Sequence, residues 1–474
     1  MTKLRLIAAA CAAFLLAACA SPRPPDTLAA SAPPQWHAPL PHNGSRGDLA
    51  RWWQQFNDPL LVALIDAAQG ASPTIASARA RIEQSRANRT AARAALLPNL
   101  DAFGSATRGN TQPPAPLATT VQAGLQTAWE IDLFGANRAA ADAAQARLEG
   151  AQAGWHAARV SVAAETANSY IGLRTCEQQV AVATNDAKSR SETARLADLS
   201  TQAGFTAPAS SALARASAAE ASARATQQRA QCDTEVKALV ALTALAEPDL
   251  RQKLASVPAP SAQDAMLSIA SVPAEVLAQR PDVLEAEREV AAASADLGAA
   301  RADRFPRLTL SGSIAAGRLR SGGVNTDLDT WSIGPLALTV PIFDGGRRSA
   351  NVDAAQARYE EAAALYQARV RQAVREVEEA LVAIDSARAR NQDAQVATEG
   401  YRVSFTATEA RYRSGLASLV ELEDARRTAL AAETALVALQ RERLAAWIAL
   451  YRAAGGGWTR SEATAAAAQP MRQP

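Results

Sequence analysis

The sequence predicts a membrane α+β chain in which four spanning strands and two long helical hairpins come from one duplicated unit. Three observations carry that prediction. Motifs recur at a fixed offset, two regions alternate apolar and polar residues with period two, and residues 135–203 and 346–414 contain no proline. Composition supports the helical part: 48% of the 474 residues are hydrophobic but only 5% aromatic. Alanine makes up the difference, and it is both the best helix former and the smallest side chain that packs. Long, closely approaching helices follow. The 49 basic and 47 acidic residues are scattered, with no basic stripe to neutralise phosphates, so nucleic acid is not expected as a partner. Beyond the N-terminus no run approaches the ~20 uncharged apolar residues of a spanning helix, so any crossing must use strands.

Lys3 and Arg5 precede an apolar run over residues 6–18, and Leu16-Ala17-Ala18-Cys19 sets small residues before a cysteine. This resembles the lipobox of bacterial lipoproteins. It implies a signal peptide over 1–18, lipid on Cys19, and, from Ala20-Ser21 with no acidic retention signal, the outer membrane. An ordinary signal peptide cut after Ala18 or Ala20 is the alternative. Residues 19–51 form the lipidated cysteine and a tether, with seven prolines and no apolar periodicity over 20–44. Of the four cysteines, Cys176 and Cys232 remain as thiols in an exported body, where disulfides persist.

From Trp52 the chain repeats itself. Ser72-Pro73-Thr74-Ile75 matches Arg280-Pro281-Asp282-Val283, and each proline is followed 25 positions on by another, Pro98 and Pro306. Ala143-Ala144-Gln145-Ala146-Arg147 recurs as Ala354-Ala355-Gln356-Ala357-Arg358, and Gly204 as Gly415, at an offset of 211. The repeats are predicted over 52–262 and 263–458, with a disordered tail at 459–474.

Each repeat opens on a helix, 72–96 or 280–304, which proline ends. A β-hairpin follows, over 99–134 or 307–343. In the first, Val121, Ala123, Leu125, Thr127, Trp129, Ile131 and Leu133 share one face. In the second, Leu308, Leu310, Gly312, Ile314 and Ala316 share a face, and Leu336, Leu338, Val340 and Ile342 hold the same even phase. That is the outer-membrane strand pattern, although a soluble sandwich hairpin has the same period. Long helical hairpins complete the repeats, over 135–246 and 346–453. Their first helices would run about 100 Å at 1.5 Å per residue and break at Gly204 and Gly415.

Four strands cannot close by themselves, and an open sheet edge in lipid costs several kcal/mol per unsatisfied group. Two copies would give eight strands and three would give twelve. Spacing alone does not choose between them.

Trp129-Glu130-Ile131-Asp132-Leu133-Phe134-Gly135, Arg280-Pro281-Asp282, Pro341-Ile342-Phe343-Asp344-Gly345-Gly346-Arg347 and Leu450-Tyr451-Arg452-Ala453-Ala454-Gly455-Gly456-Gly457-Trp458 resemble the TolC-type outer-membrane efflux factors, and their lipoprotein branch best. The resemblance implies a homotrimer, a twelve-stranded transmembrane barrel continued as a periplasmic α-helical barrel, and passive exit of small molecules. It also implies a periplasmic membrane-fusion adaptor and an inner-membrane RND-type pump as partners. A channel for one-step (type I) protein secretion is the alternative. Of the helix ends far from the strands, Arg411, Tyr412 and Asp424 match positions that close the pore in the family. Val420 lies one turn before Asp424 and would set an apolar ring beside an acidic one. A solvated surface pair of Arg411 and Asp424 is the plainer reading.

Nothing points to an enzyme. Only His37, His42 and His156 occur, too few for a three-histidine metal site or a charge relay, and no carboxylate pair is selected by spacing. Gly345-Gly346 and Gly455-Gly456-Gly457 lack a phosphate-loop pattern and read as turns. No cofactor or metal is expected. Cys176 lies 28 positions before Gly204 and Cys232 lies 27 after Phe205, so antiparallel helices would level them for a disulfide. Two buried free thiols are the alternative.

Overall fold

The computed structural model describes residues 23–28, 49–110, 117–257 and 280–456. The signal peptide, Cys19, most of the tether and the tail at 459–474 lie outside them. The described helices are α1 (Pro59–Ala71), α2 (Pro73–Ala94), α3 (Ala136–Gln202), α4 (Pro208–Thr243), α5 (Glu247–Ser256), α6 (Pro281–Ala302), α7 (Arg347–Arg413) and α8 (Leu419–Ala453), with a 3-10 helix at Leu49–Phe56. The strands are β1 (Asn99–Gly109), β2 (Ala118–Ile131), β3 (Arg307–Ser321) and β4 (Val324–Thr339). Duplication is visible in the lengths. Both α2 and α6 have 22 residues, and both α3 and α7 have 67.

Local chemistry sets the boundaries. Proline at the first position starts α1, α2, α4 and α6, where its missing N–H costs nothing. The Asp58 carboxylate accepts from the Leu60 and Leu61 amides and caps α1. Where the first repeat has Ala207-Pro208, the second has a capping box, Ser418 with Glu421, at the start of α8. Gly204 and Gly415 take φ of +80° and +76°. Beyond them Phe205 N donates to Ser200 O at 2.9 Å and Leu416 N to Arg411 O at 2.8 Å, so both long helices end in the same left-handed cap.

The chain divides into two compact units. Of the described residues, the first comprises 23–28, 79–110, 117–153 and 284–369 and holds the sheet, an antiparallel meander in the order β1-β2-β3-β4. Its central pair joins the two repeats, with Leu125 opposite Ile314 and Gly124 opposite Ala315.

The second unit comprises the described residues 49–78, 154–257, 280–283 and 370–456. Its core gathers Trp52, Leu61, Leu64, Tyr170, Leu239, Leu250, Trp447 and Leu450. Trp52 stacks on Tyr451 at 4.8 Å, and Trp53 meets the same ring edge-on. The buried Tyr170 hydroxyl donates to Asp58 at 2.5 Å and accepts from Arg174 at 3.1 Å. Burial and then the Asp58 contact raise its pKa. Arg174 also donates to the carbonyls of Leu254 and Val257, fastening the end of α5. The Arg280 that opens the second repeat is 4% exposed. It ties Asp282, Glu376 and the Ala453 carbonyl together, so the shared Arg-Pro-Asp motif is a packing device.

Cys176 on α3 and Cys232 on α4 are bonded in the structure, with Cα atoms 5.5 Å apart. The bond closes 56 residues, which the chain-entropy model values at roughly 4 kcal/mol less any strain. Ala387 and Arg443 stand at these places in the second repeat, so the pairing belongs to the first hairpin alone. Thiol titration of denatured, unreduced mature protein is expected to find neither cysteine reactive. Two free thiols would contradict the bond.

Candidate functional site

Two surfaces bear on function: the faces of the sheet and, in the other unit, the tip of the helical hairpins. On the sheet, Leu125, Ile314 and Trp331 sit side by side across β2, β3 and β4. They share a face with Leu100, Trp129, Leu310 and Ile333. Trp331 is 75% exposed and Ile333 85%. No water-soluble sheet leaves such a face bare. The opposite face carries Gln122, Gln126, Ser311, Ser313 and Ser332, with the hydroxyls of Ser313 and Ser332 at 3.0 Å. Gly124 and Gly317 lie on this polar face. A Cβ on Gly124 would fall 2.3 Å from Ile314 O, and one on Gly317 2.5 Å from Val121 O. The sheet therefore curls toward its polar side. The outer edges of β1 and β4 have no partner strand among the described residues.

The strand pattern differs from its sequence prediction in β4. Pairing steps from Leu310–Leu336 to Gly312–Ile333, a bulge of one extra residue that sets Gly334 and Pro335 against Ser311. The apolar phase is odd at Trp331 and Ile333 and even at Leu336 and Leu338. Even-phase reading caught only the second half and ran on to Val340 and Ile342, which lie past the end of β4. The Gly322-Gly323 turn, with φ of +57° and +86°, followed by Trp331-Ser332-Ile333, was the available signal.

At the tip, Leu419 and Leu422 of α8 pack on Ala194 and Ala197 of α3 and Ala214 of α4, with Phe405 and Tyr412 of α7 against them. Beside this cluster lies an ion network that sequence reasoning did not single out. Glu423 accepts from Arg190, Arg426 and, at 3.0 Å, the Ser217 hydroxyl. Arg190 chelates Asp186 at 2.9 and 3.0 Å. Arg426 donates to Ser189 at 3.1 Å and Thr193 at 2.9 Å and lies over the Phe405 ring. Its guanidinium is 3% exposed, and burial pulls its pKa down against the opposing pull of Glu423. No spacing rule exposes such a network, because its members come from α3, α4 and α8.

The four gate residues expected from the sequence sit around this core. Tyr412 packs on the cluster, and burial raises its hydroxyl pKa. Val420 is 69% exposed. Arg411 donates to the Leu416 carbonyl of its own turn at 3.0 Å, while Asp424 pairs with Arg427 at 2.6 Å. Within one chain Arg411 and Asp424 are therefore not partners. The acidic stretch is also less bare than its sequence suggests: Glu421 caps α8, Glu423 belongs to the network, and Asp424 pairs with Arg427 at the surface.

Among the described residues no group of three or more His, Cys, Asp or Glu side chains is placed to hold a metal ion. His156 is driven down to about 4 by burial and then by Arg159. Nor is any single described helix long and apolar enough to cross a membrane.

Comparison with known proteins agrees with these surfaces. The family model described as outer membrane efflux protein matches residues 64–245 and 272–456. The pyoverdine export outer membrane protein OpmQ of Pseudomonas aeruginosa is 31% identical, over 97% of each chain. The toluene efflux pump outer membrane protein TtgI of Pseudomonas putida is 29% identical, over 86% of this chain and 87% of its own. The solved outer-membrane channel OprN is 30% identical, covers 93% of this chain and 99% of its own, and superposes with a TM-score of 0.84. On the match to both repeats, on long relatives at about this identity and on the shared fold, the chain belongs to the outer membrane efflux protein family.

Proposed function

We propose that the chain is the outer-membrane duct of a tripartite efflux system, through which small molecules driven by an inner-membrane RND-type pump leave passively via a periplasmic adaptor. The observation that carries this reading is the sheet: an exposed apolar face, a polar face toward which it curls, and two open edges. In lipid those edges must pair, so copies of the chain join β4 of one to β1 of the next. Three copies supply twelve strands, the number the family resemblance implies, with the apolar face to lipid and the polar face to the lumen. Lipid on Cys19 anchors each copy beside the barrel. The long helices form the periplasmic tunnel. Exposed Phe205 and Leu416, equivalent in the two turns, offer the adaptor an apolar contact. The names of OpmQ and TtgI specify pyoverdine and toluene, which favours small-molecule efflux over protein secretion.

In this reading Asp424 and Val420 project at the tip, where three copies would narrow the pore. Asp424→Arg is expected to raise single-channel conductance in planar bilayers several-fold, because the new guanidinium loses the pair with Arg427 and faces that like charge in every copy. A mutant trimer conducting like wild type would remove Asp424 from the gate and leave the channel reading standing. If neither protein conducts, the channel reading fails.

A further inference from the structure

The apolar face of the sheet does not reach the hairpin turns. Beyond Leu125, Ile314 and Trp331 it becomes charged: Arg318 stands between Val121 and Asp327, and one row further Arg108, Thr119, Arg320 and Asn325 lie level across β1-β2-β3-β4. All three arginines are exposed. Asp327 accepts from Arg318 at 3.0 Å. Among the described residues Arg108 and Arg320 form no ion pair, and their row holds no carboxylate.

Strand geometry sets the level of these arginines. Trp129 marks the helix-side edge of the apolar face, and its indole N–H donates to Leu96 O at 3.0 Å, the place of an interfacial aromatic in an outer-membrane barrel. Leu310 lies opposite Trp129, so Arg318 and Arg320 are eight and ten residues nearer the turn between β3 and β4. At about 3.3 Å per residue and a tilt of about 40°, those steps are about 20 and 25 Å. The apolar band of such a barrel is about 25 Å tall. The row of Arg108 and Arg320 therefore comes at its far edge, where a second aromatic girdle belongs. Among the described residues that end of the face carries no aromatic side chain.

A guanidinium is costly inside hydrocarbon, but at the edge of a bilayer it meets the phosphates of lipid headgroups, which it grips with two parallel N–H donors. Arg108 and Arg320 stand two strands apart, about 10 Å at about 4.8 Å per strand, with Thr119 between them. One phosphate group fits that row, held from both sides, with the Thr119 hydroxyl as a further donor. Toward the helices the row opens on a shallow groove floored by Val121, Ala123 and Ala316, an apolar surface for acyl chains. Asp329 stands level with Ala316 on the edge strand β4, two rows from Arg320, and so stays clear of the phosphate. Phosphate at the arginine row and hydrocarbon below it is the profile of a lipid.

We propose that Arg108, Thr119 and Arg320 hold the phosphate of an outer-leaflet glycolipid, one molecule on each copy, with its acyl chains on Val121, Ala123 and Ala316. The site rests on the barrel reading above, which sets the hairpin turns on the outer-leaflet side. The full-length trimer in detergent, given diphosphoryl lipid A, is expected to retain three molecules in native mass spectrometry. Lipid A stripped of both phosphates, which keeps the sugars and chains, should bind at least tenfold more weakly. Arg108→Gln with Arg320→Gln should weaken binding of the phosphorylated form as much, in a trimer that still forms, whereas Arg304→Gln at the helix-side end should leave it unchanged. Equal retention of the two lipids by the unaltered protein, or of lipid A by the double variant, overturns the site. Displacement of lipid A by millimolar inorganic phosphate would make this an anion site and overturn the lipid. Phosphatidylglycerol bound as tightly as lipid A would overturn the glycolipid. A protein that forms no trimer removes the barrel reading first, and the site with it.

Discussion

Replacing Glu423 by alanine is expected to loosen the hairpin tip by about 3–5 kcal/mol, the range for breaking a buried ion network by removing one partner. Glu423 is the carboxylate common to Arg190 and Arg426, whose side chains are 9% and 3% exposed. Without it Arg190 keeps Asp186, but Arg426 is left with hydrogen bonds to the hydroxyls of Ser189 and Thr193, the Phe405 ring and the more distant charges of Asp186 and Glu409. Water reaches this guanidinium poorly, so it is left without a hydrogen-bonded counter-ion. Because the network joins α3, α4 and α8, the loss should appear as local opening. Tip amides are expected to exchange hydrogen on the order of a hundred- to a thousand-fold faster, with the Trp52–Tyr451 region unchanged. Asp424→Ala, which removes a surface pair with Arg427, should leave tip exchange within a few-fold of wild type. Equal exchange rates in Glu423→Ala and wild type would contradict the network's structural role.

Gly124→Val and Gly317→Val are each expected to abolish assembly of the barrel. The new Cβ atoms would meet backbone of the paired strand, Ile314 O and Ala315 Cα in one case and Val121 O in the other, at 2.3, 2.7 and 2.5 Å. Neither partner can rotate away as a side chain could. The curl between β2 and β3 would have to relax, and a flatter sheet does not close. Gly104→Ala on β1 is the control, because nothing lies within 4 Å of its added Cβ. Heat-modifiable mobility of membrane fractions should show folded oligomer for Gly104→Ala and none for the two valine variants. Normal oligomer in Gly124→Val would refute the curvature argument.

Much of the fold was legible because it is repetitive and local. A strict period and proline-free runs mark α3 and α7 to within a residue or two, and Gly204 and Gly415 mark their ends through the left-handed caps that glycine allows. Trp129 and Ile314 announce the apolar face by alternation. What escaped the sequence depends on contacts between distant segments. The bulge at Gly334-Pro335 shifts the phase of β4, which no fixed period anticipates. The Arg190–Glu423–Arg426 network spans 236 positions from Arg190 to Arg426, in residue types found all along these helices. Residues 23–28 look unstructured by composition, and their contacts with Gly298 and Tyr359 appear only in the structure. The tip contacts were not legible either: Tyr412 packs on the apolar cluster, Val420 is exposed, and Arg411 and Asp424 each have a different partner within the chain.

In lipid a four-stranded sheet closes only with other copies of itself. Native mass spectrometry of the full-length mature protein released from nanodiscs measures that directly. The predicted result is one species of three chains. A stable single chain, or a dimer as the main species, would contradict the twelve-stranded channel.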